Sequence, residues 1–243
     1  MLTEPLYQGL QGLGLRGMAR AFGAQEKSTS SSDLNFAERL ALLIDAERGE
    51  RDNARYVQRL RWAKLGQNAS LEDLDSRTPR GIDRSLIAKL STLAFIADNR
   101  NVLITGPTGV GKSYLACALG QRACRDNLSV RYLRLPRLVE ELVRAEALKK
   151  KSALFKHLAK FRLLILDDFG LTPLADEITR DLLEIIDDRF DKSATLITSQ
   201  LPLDRWHAYL ADPTLADAIL DRIVHNAYKI ELKGESMRKQ KAI

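Results

Sequence analysis

Cysteine is nearly missing from this chain of 243 residues, which has only Cys117 and Cys124. They stand in a helical pattern, as two small buried side chains would, and no disulfide framework or zinc site can be built from them. Histidine is equally sparse, and His157, His207 and His225 have no ligand spacing. No apolar run approaches the roughly 18 residues of a membrane span. The opening Met1-Leu-Thr-Glu-Pro-Leu6 lacks a basic start followed by an apolar stretch, so no secretory signal is read there, and a cytoplasmic location is expected. What is present excludes collagen, mucin and wholesale disorder: 45% of residues are apolar and 29% are charged. That length and composition allow one large domain, or one domain with a small appendage.

Positive charge is concentrated rather than spread. The chain carries a net +6, and residues 131–160 alone hold nine basic and three acidic residues. Residues 161–228 hold six basic and thirteen acidic residues. A folded domain with one basic stretch has the footprint of a polyanion binder, although a solvated helix face reads the same way from charge alone.

Along the chain, Leu6, Leu10, Leu13, Met18 and Phe22 recur at helical spacing, weakened by Gly9, Gly12, Gly14 and Gly17. Ser28 to Asp33 is a loop signal. A second helical block starts near Asn35, where Glu38 three residues on resembles a capping box. Phe36, Leu40, Leu43 and Ile44 form its stripe, which Val57, Leu60 and Trp62 continue. Residues 1–65 therefore read as a small helical unit whose stripe needs a partner or the main domain to cover it. Polar residues 66–80 read as a linker, and 82–97 returns to helical spacing. Beyond residue 100, short apolar runs alternate with amphipathic helices. The runs are Asn101–Thr105, Val130–Leu135, Arg162–Leu166, Thr195–Ser199 and Ala227–Leu232. The helices are Lys112–Arg125 and Ala175–Phe190. Alternation of this kind argues for a mostly parallel sheet covered on both faces.

The strongest chemical signal is Gly106-Pro107-Thr108-Gly109-Val110-Gly111-Lys112-Ser113, which matches G-x-x-x-x-G-K-[ST] between a strand and a helix. Its glycines let backbone N–H groups converge, and the following helix adds the positive end of its dipole. Lys112 then reaches the β- and γ-phosphates, and the Ser113 hydroxyl ligates magnesium. The second signal is an apolar strand ending in Asp167-Asp168. If that strand lies beside the one feeding the loop, Asp167 supports the metal and Asp168 orients or deprotonates an attacking water. A turn or helix cap is the plainer alternative. At the tip of Thr195–Ser199, Gln200 is the first candidate to sense the γ-phosphate or the water, and Ser199 the second. Arg222 is either an arginine finger for a neighbouring subunit or the partner of Asp221 or Asp217. Arg238 in Gly234-Glu-Ser-Met-Arg238 either folds back on the nucleotide or belongs to a solvated basic tail.

Gly-Pro-Thr-Gly-Val-Gly-Lys-Ser, Leu-Leu-Ile-Leu-Asp-Asp-Phe-Gly, Leu-Ile-Thr-Ser-Gln, Leu-Asp-Arg-Ile and Gly-Glu-Ser-Met-Arg-Lys together resemble the IstB-like group. These are AAA+ ATPases encoded beside a transposase in bacterial insertion sequences, similar to the DnaC helicase loader and the DnaA initiator. The resemblance spans nearly the whole chain. The phosphate loop is generic, and the Thr-Ser-Gln and Gly-Glu-Ser-Met-Arg pieces narrow it. It implies an α/β P-loop AAA+ core with a mostly parallel five-stranded sheet over 81–243, a helical N-terminal domain over 1–65, a linker over 66–80, and a lid domain absent or reduced. It implies ATP and Mg2+ as cofactors. The loop Gly106 to Ser113 would bind nucleotide, Ser113 and Asp167 the metal, and Lys112, Asp168, Gln200, Arg222 and Arg238 would serve catalysis. Asp168 departs from the usual glutamate by one methylene, which suits a slow, switch-like ATPase.

The same resemblance implies an extra basic helix inserted after the second strand, over 136–158. Leu138, Leu142 and Leu148 would anchor it. Arg137, Arg144, Lys149, Lys150 and Lys151 would face outward, with Arg134 and Lys156 completing a DNA-binding set. Aromatics are scarce there, so duplex phosphates are favoured over stacked single strands. The implied function is ATP-dependent assembly of copies of this chain on duplex DNA, which is presented to the transposase of the same element. Association with the nucleoid follows when DNA is bound. The rival readings are a DnaC-like helicase loader, a small-molecule kinase and a non-hydrolysing nucleotide-gated scaffold.

Overall fold

The computed structural model describes residues 3–28, 33–74, 81, 83–210 and 212–237. The chain divides into two compact units, Met1–Gln58 and Arg59–Ile243.

The first unit is helical. Its helices are α1 (Thr3–Gly12), α2 (Arg16–Lys27) and α3 (Phe36–Ala63), the last running past the division. The single helix expected over the first segment is broken, because Gly14 takes φ 75° between α1 and α2. The capping box at α3 forms as read: Glu38 N donates to Asn35 Oδ1 at 3.0 Å, and Asn35 N donates to Glu38 Oε2 at 2.9 Å. Glu47 of α3 is buried and accepts from the N–H groups of Gly17 and Met18, satisfying free donors in the first turn of α2. The Arg51 side chain, and then those N–H groups, hold the Glu47 carboxyl below its usual range.

The second unit carries a sheet of five strands: β1 (Asn101–Thr105), β2 (Val130–Arg134), β3 (Leu163–Phe169), β4 (Ala194–Ser199) and β5 (Ala227–Glu231). Their order is β2-β3-β4-β1-β5, and every pairing is parallel. Its helices are α4 (Arg84–Ser91), α5 (Ala94–Ala97), α6 (Lys112–Arg125), α7 (Leu135–Ala147), α8 (Lys151–Ala159), α9 (Asp176–Arg189), α10 (Trp206–Tyr209) and α11 (Pro213–Val224). Side chains alternate across the strands. Leu103, Leu164, Leu166 and Ile197 meet Leu138, Leu142, Leu182, Ile185, Trp206 and Ile219 from α7, α9, α10 and α11. On the opposite face, Ile165 packs against α6.

Three expectations are corrected. β4 lies between β1 and β3, so the Asp-Asp strand is not the neighbour of the strand that feeds the phosphate loop. Residues 66–74 do not hang free as a linker: Ser70 N donates to the Tyr114 hydroxyl at 3.4 Å, and Arg125 pairs with Glu72 at 3.1 Å. The rest of that linker, 75–80, lies outside the described residues, as do 29–32 of the Ser-rich loop. The basic segment over 136–158 is two helices rather than one. They break at Leu148 to Lys150, where Lys149 takes φ 54°. Leu148 is then exposed instead of anchoring, while Leu138 and Leu142 are buried as expected.

Arg189 closes the end of the sheet away from the phosphate loop. Its guanidinium is 1% exposed and donates to the carbonyls of Leu158, Phe161 and Ala194 and to the Thr195 hydroxyl. Arg189→Ala strands these acceptors and is expected to cost about 3 kcal/mol or more. Urea unfolding of the variant checks this, and an unchanged midpoint contradicts it.

Candidate phosphate and metal site

The candidate site lies at the carboxyl ends of the parallel strands. β1 runs into the loop, and Gly106 N donates to the Ser199 carbonyl of β4 at 3.2 Å. Gly106 has φ 144°, and a Cβ there would sit 2.2 Å from the Leu232 carbonyl oxygen, so only glycine lets the loop leave β1 in this direction. The loop then curls back to the start of α6, which brings its N–H groups and the helix N-terminus together. Lys112 is buried, and its ammonium donates to the carbonyls of Gly106 at 2.7 Å and Pro107 at 2.8 Å. Thr108 Oγ1 donates to Gln200 Oε1 at 2.7 Å, tying the loop to the tip of β4.

The two carboxylates of β3 take different surroundings. Asp167 is 3% exposed. Its Oδ1 accepts from the Ser113 hydroxyl at 2.9 Å and from the Thr198 hydroxyl, and its Oδ2 accepts from the Tyr132 hydroxyl at 2.5 Å. A register irregularity between Leu166 and Phe169 puts Asp168 at φ 62°. Its carboxylate turns toward β2 and accepts from Arg134 Nε at 2.7 Å. That hydrogen bond, and then the charge of Asp168, raise the Arg134 guanidinium further above its usual range. Magnesium fits the first arrangement, because Ser113 and Asp167 offer hard oxygen donors side by side, and Mg2+ takes one or two carboxylates with the remainder from phosphate and water.

Of the residues singled out in the sequence, the loop, Ser113, Asp167 and Gln200 come together here. Asp168 lies beside them, turned away to Arg134. Ser199, the second candidate beside Gln200, is fully buried and donates to the Phe169 carbonyl at 2.6 Å, which makes it a fastener of β3 to β4. Arg222 is not at this loop. Asn101, which opens β1, donates to the Arg222 carbonyl at 3.1 Å, so Arg222 lies at the other end of the sheet. The length of β1, about 17 Å at ~3.3 Å per residue, separates that end from the loop. Its guanidinium pairs with Asp187 of α9, not with Asp221 or Asp217. Arg238 lies outside the described residues. The segment before it does fold back, and Met237 N donates to the Gly109 carbonyl at 3.0 Å. Cys117 and Cys124 are buried in α6, and burial pushes the Cys124 thiol up to about 11.

Two site residues escape the sequence reading: Thr198 and Tyr132. Thr198 stood inside the quoted Thr-Ser-Gln motif. Tyr132 stood on the run Val130–Leu135, which only the fold places beside the acidic strand, where a buried phenol needs an acceptor. The basic set also sorts itself. Arg134 is occupied by Asp168, and Arg137 pairs with Glu140 at 2.6 Å. Lys151 does not face outward: it is held by Glu146, Glu177 and Asp181 at 2.8–3.0 Å, and these, led by Glu177, raise its ammonium well above the usual range. Arg144, Lys149, Lys150 and Lys156 are exposed.

Comparison with known proteins finds ATP-binding relatives. The family of IstB-like ATP binding proteins matches residues 8–243. A protein of Sinorhizobium fredii (strain NBRC 101917 / NGR234), named as an insertion sequence ATP-binding protein, is 48% identical over 239 residues, covering 98% of this chain and 98% of its own. The insertion sequence IS21 ATP-binding protein of Pseudomonas aeruginosa is 33% identical over 212 residues, covering 87% of this chain and 80% of its own. Among solved structures, DnaI superposes with a TM-score of 0.59 at 25% identity, over 68% of this chain and 91% of that one. The DnaC helicase loader superposes with a TM-score of 0.51 at 20% identity, over 65% of this chain and 95% of that one, a likeness of fold.

Gly106→Ala forces the loop off the β5 side of the sheet and is expected to weaken nucleotide binding at least about tenfold, or ~1.4 kcal/mol. Gly49→Ala, where nothing lies within 4 Å of the added carbon, is expected to leave binding unchanged. Titration with a fluorescent ATP analogue reads both, and equal affinities for the two variants contradict the assignment.

Proposed function

The chain belongs to the family of IstB-like ATP-binding proteins of insertion sequences, and from that premise we propose that it is an ATPase whose protomers assemble on duplex DNA and present it to a transposase. The observation that carries this reading is the joining of the phosphate loop to an acidic strand end, with Ser113 Oγ 2.9 Å from Asp167 Oδ1 and Asp168 one residue further on. Lys112 and the loop N–H groups bind the phosphates. Ser113 and Asp167 hold magnesium, which when bound shields the phosphate charge. Gln200 orients the attacking water, and the Asp168 carboxylate accepts its proton. In the single protomer Asp168 is engaged by Arg134, so hydrolysis is slow until assembly shifts that pair.

Arg222 supports action between protomers. It is out of reach of its own loop, and its side chain, paired with Asp187, is 30% exposed. A guanidinium there would stabilise charge on the phosphates of the next site. The exposed cations Arg144, Lys149, Lys150 and Lys156 on α7, α8 and their turn support phosphate contacts that are tolerant of sequence. On α8, Phe155 packs against the core and the His157 ring meets Phe161 edge to face, which favours duplex over single strands.

Two measurements test the reading. Replacing Arg144, Lys149, Lys150 and Lys156 with glutamate is expected to lower ATP-dependent duplex affinity at moderate salt by at least about tenfold, with nucleotide affinity kept. Lys151 is left alone, because its three carboxylate partners make it structural. Unchanged duplex binding, or a stronger grip on single strands than on duplex, would turn the reading toward a helicase loader. In the second, Arg222→Ala and Asp168→Asn proteins are each expected to hydrolyse ATP poorly, and their mixture to recover phosphate release. A mixture as inactive as its parts contradicts action across the protomer boundary.

A further inference from the structure

Asp167 is a buried carboxylate whose second oxygen is turned away from the phosphate loop. That oxygen has one described partner, the Tyr132 hydroxyl at 2.5 Å. Tyr132 sits in β2, with β3 as its pairing neighbour, and is 8% exposed. Ser113 and Thr198 take the other oxygen. The carboxylate is thus fixed from both ends, and rotation about its last bond would break a hydrogen bond.

The space for the Tyr132 hydroxyl is set by a residue far away in sequence. A Cβ on Gly66 would lie 2.6 Å from that oxygen, 2.7 Å from the carbon bearing it and 2.9 Å from the adjacent ring carbon. All three distances are closer than real carbon contacts allow. Any side chain at 66 would push the ring out of its place against Asp167.

We propose that Tyr132 is a positioning residue for the carboxylate that supports the metal, and that Gly66 is the residue that admits it. The proposal rests on the reading of Ser113 and Asp167 as the metal-supporting pair and adds what holds Asp167 in register. Tyr132 touches neither nucleotide nor metal in this role. It acts through Asp167, in the way that partners of metal ligands set ligand orientation at a typical cost of 10–100-fold when removed. It also gives residue 66, just past the end of α3, a direct influence on the site.

The test uses the full chain, a non-hydrolysable ATP analogue and Mn2+ followed by electron paramagnetic resonance. Tyr132→Phe removes one oxygen and keeps the ring, so the fold is retained. Its expected result is a Mn2+ dissociation constant in the analogue complex raised about tenfold. Analogue affinity measured without metal is expected to stay at the wild-type value. A tyrosine that merely fills space would move both affinities together or neither, and either outcome overturns the proposal. Gly66→Ala is expected to weaken Mn2+ binding in the same way while also lowering stability, since the ring itself is displaced. In the Tyr132→Phe background, Gly66→Ala is expected to cost stability again but to add no further loss of Mn2+ binding. Additive losses of Mn2+ binding would overturn the role of Gly66. A wild-type chain that binds the analogue but takes up no Mn2+ with it would instead overturn the underlying metal assignment.

Discussion

One buried carboxylate organises the ATP-binding end of this molecule. Removing Asp167 from water costs several kcal/mol unless its oxygens are met by donors. Three hydroxyls meet them, from Ser113 at the start of α6, Tyr132 of β2 and Thr198 of β4. Each such bond to a charged group is worth about 1.5–3 kcal/mol, so the set offsets the cost. In doing so it locks the phosphate loop, the acidic strand and its two neighbours into one geometry. A phosphate cradle is of no use unless the groups facing it hold still, and these hydroxyls hold Asp167 still.

The second carboxylate shows the opposite economy. Asp168 is adjacent in sequence, yet a register irregularity and a left-handed backbone turn it away from the hydroxyl cluster to an exposed guanidinium. An ion pair of that exposure is weak and exchangeable. On the proposed reading, the firm carboxylate serves the metal and the loose one the water.

Charge tells a similar story about the basic segment. Nine cations in thirty residues read as one surface, but the fold spends them differently. Lys151 is surrounded by three carboxylates and pins α8 to α7 and α9, while Arg134 and Arg137 are paired. What remains exposed clusters on α7, α8 and the turn between them. The count of charges could not distinguish these roles, because pairing depends on Glu177 and Asp181, which come from a helix beyond the next strand.

The sequence by itself determined the phosphate loop, the alternation of strands and helices, the capping box at Asn35 and the acidic strand end. All of these arise from interactions among residues a few positions apart, where spacing is geometry. The helix Lys112–Arg125 was legible to the residue, since a glycine-rich turn starts it and apolar periodicity carries it. Only the tertiary structure decided that β4 lies between β1 and β3, that Arg222 pairs with Asp187 at the far end of the sheet, and that Thr198 and Tyr132 grip Asp167. Strand order, and the partners it creates, come from packing two apolar sheet faces under separate helices. Many sequences with the same local pattern satisfy that condition, so local pattern cannot select the neighbours.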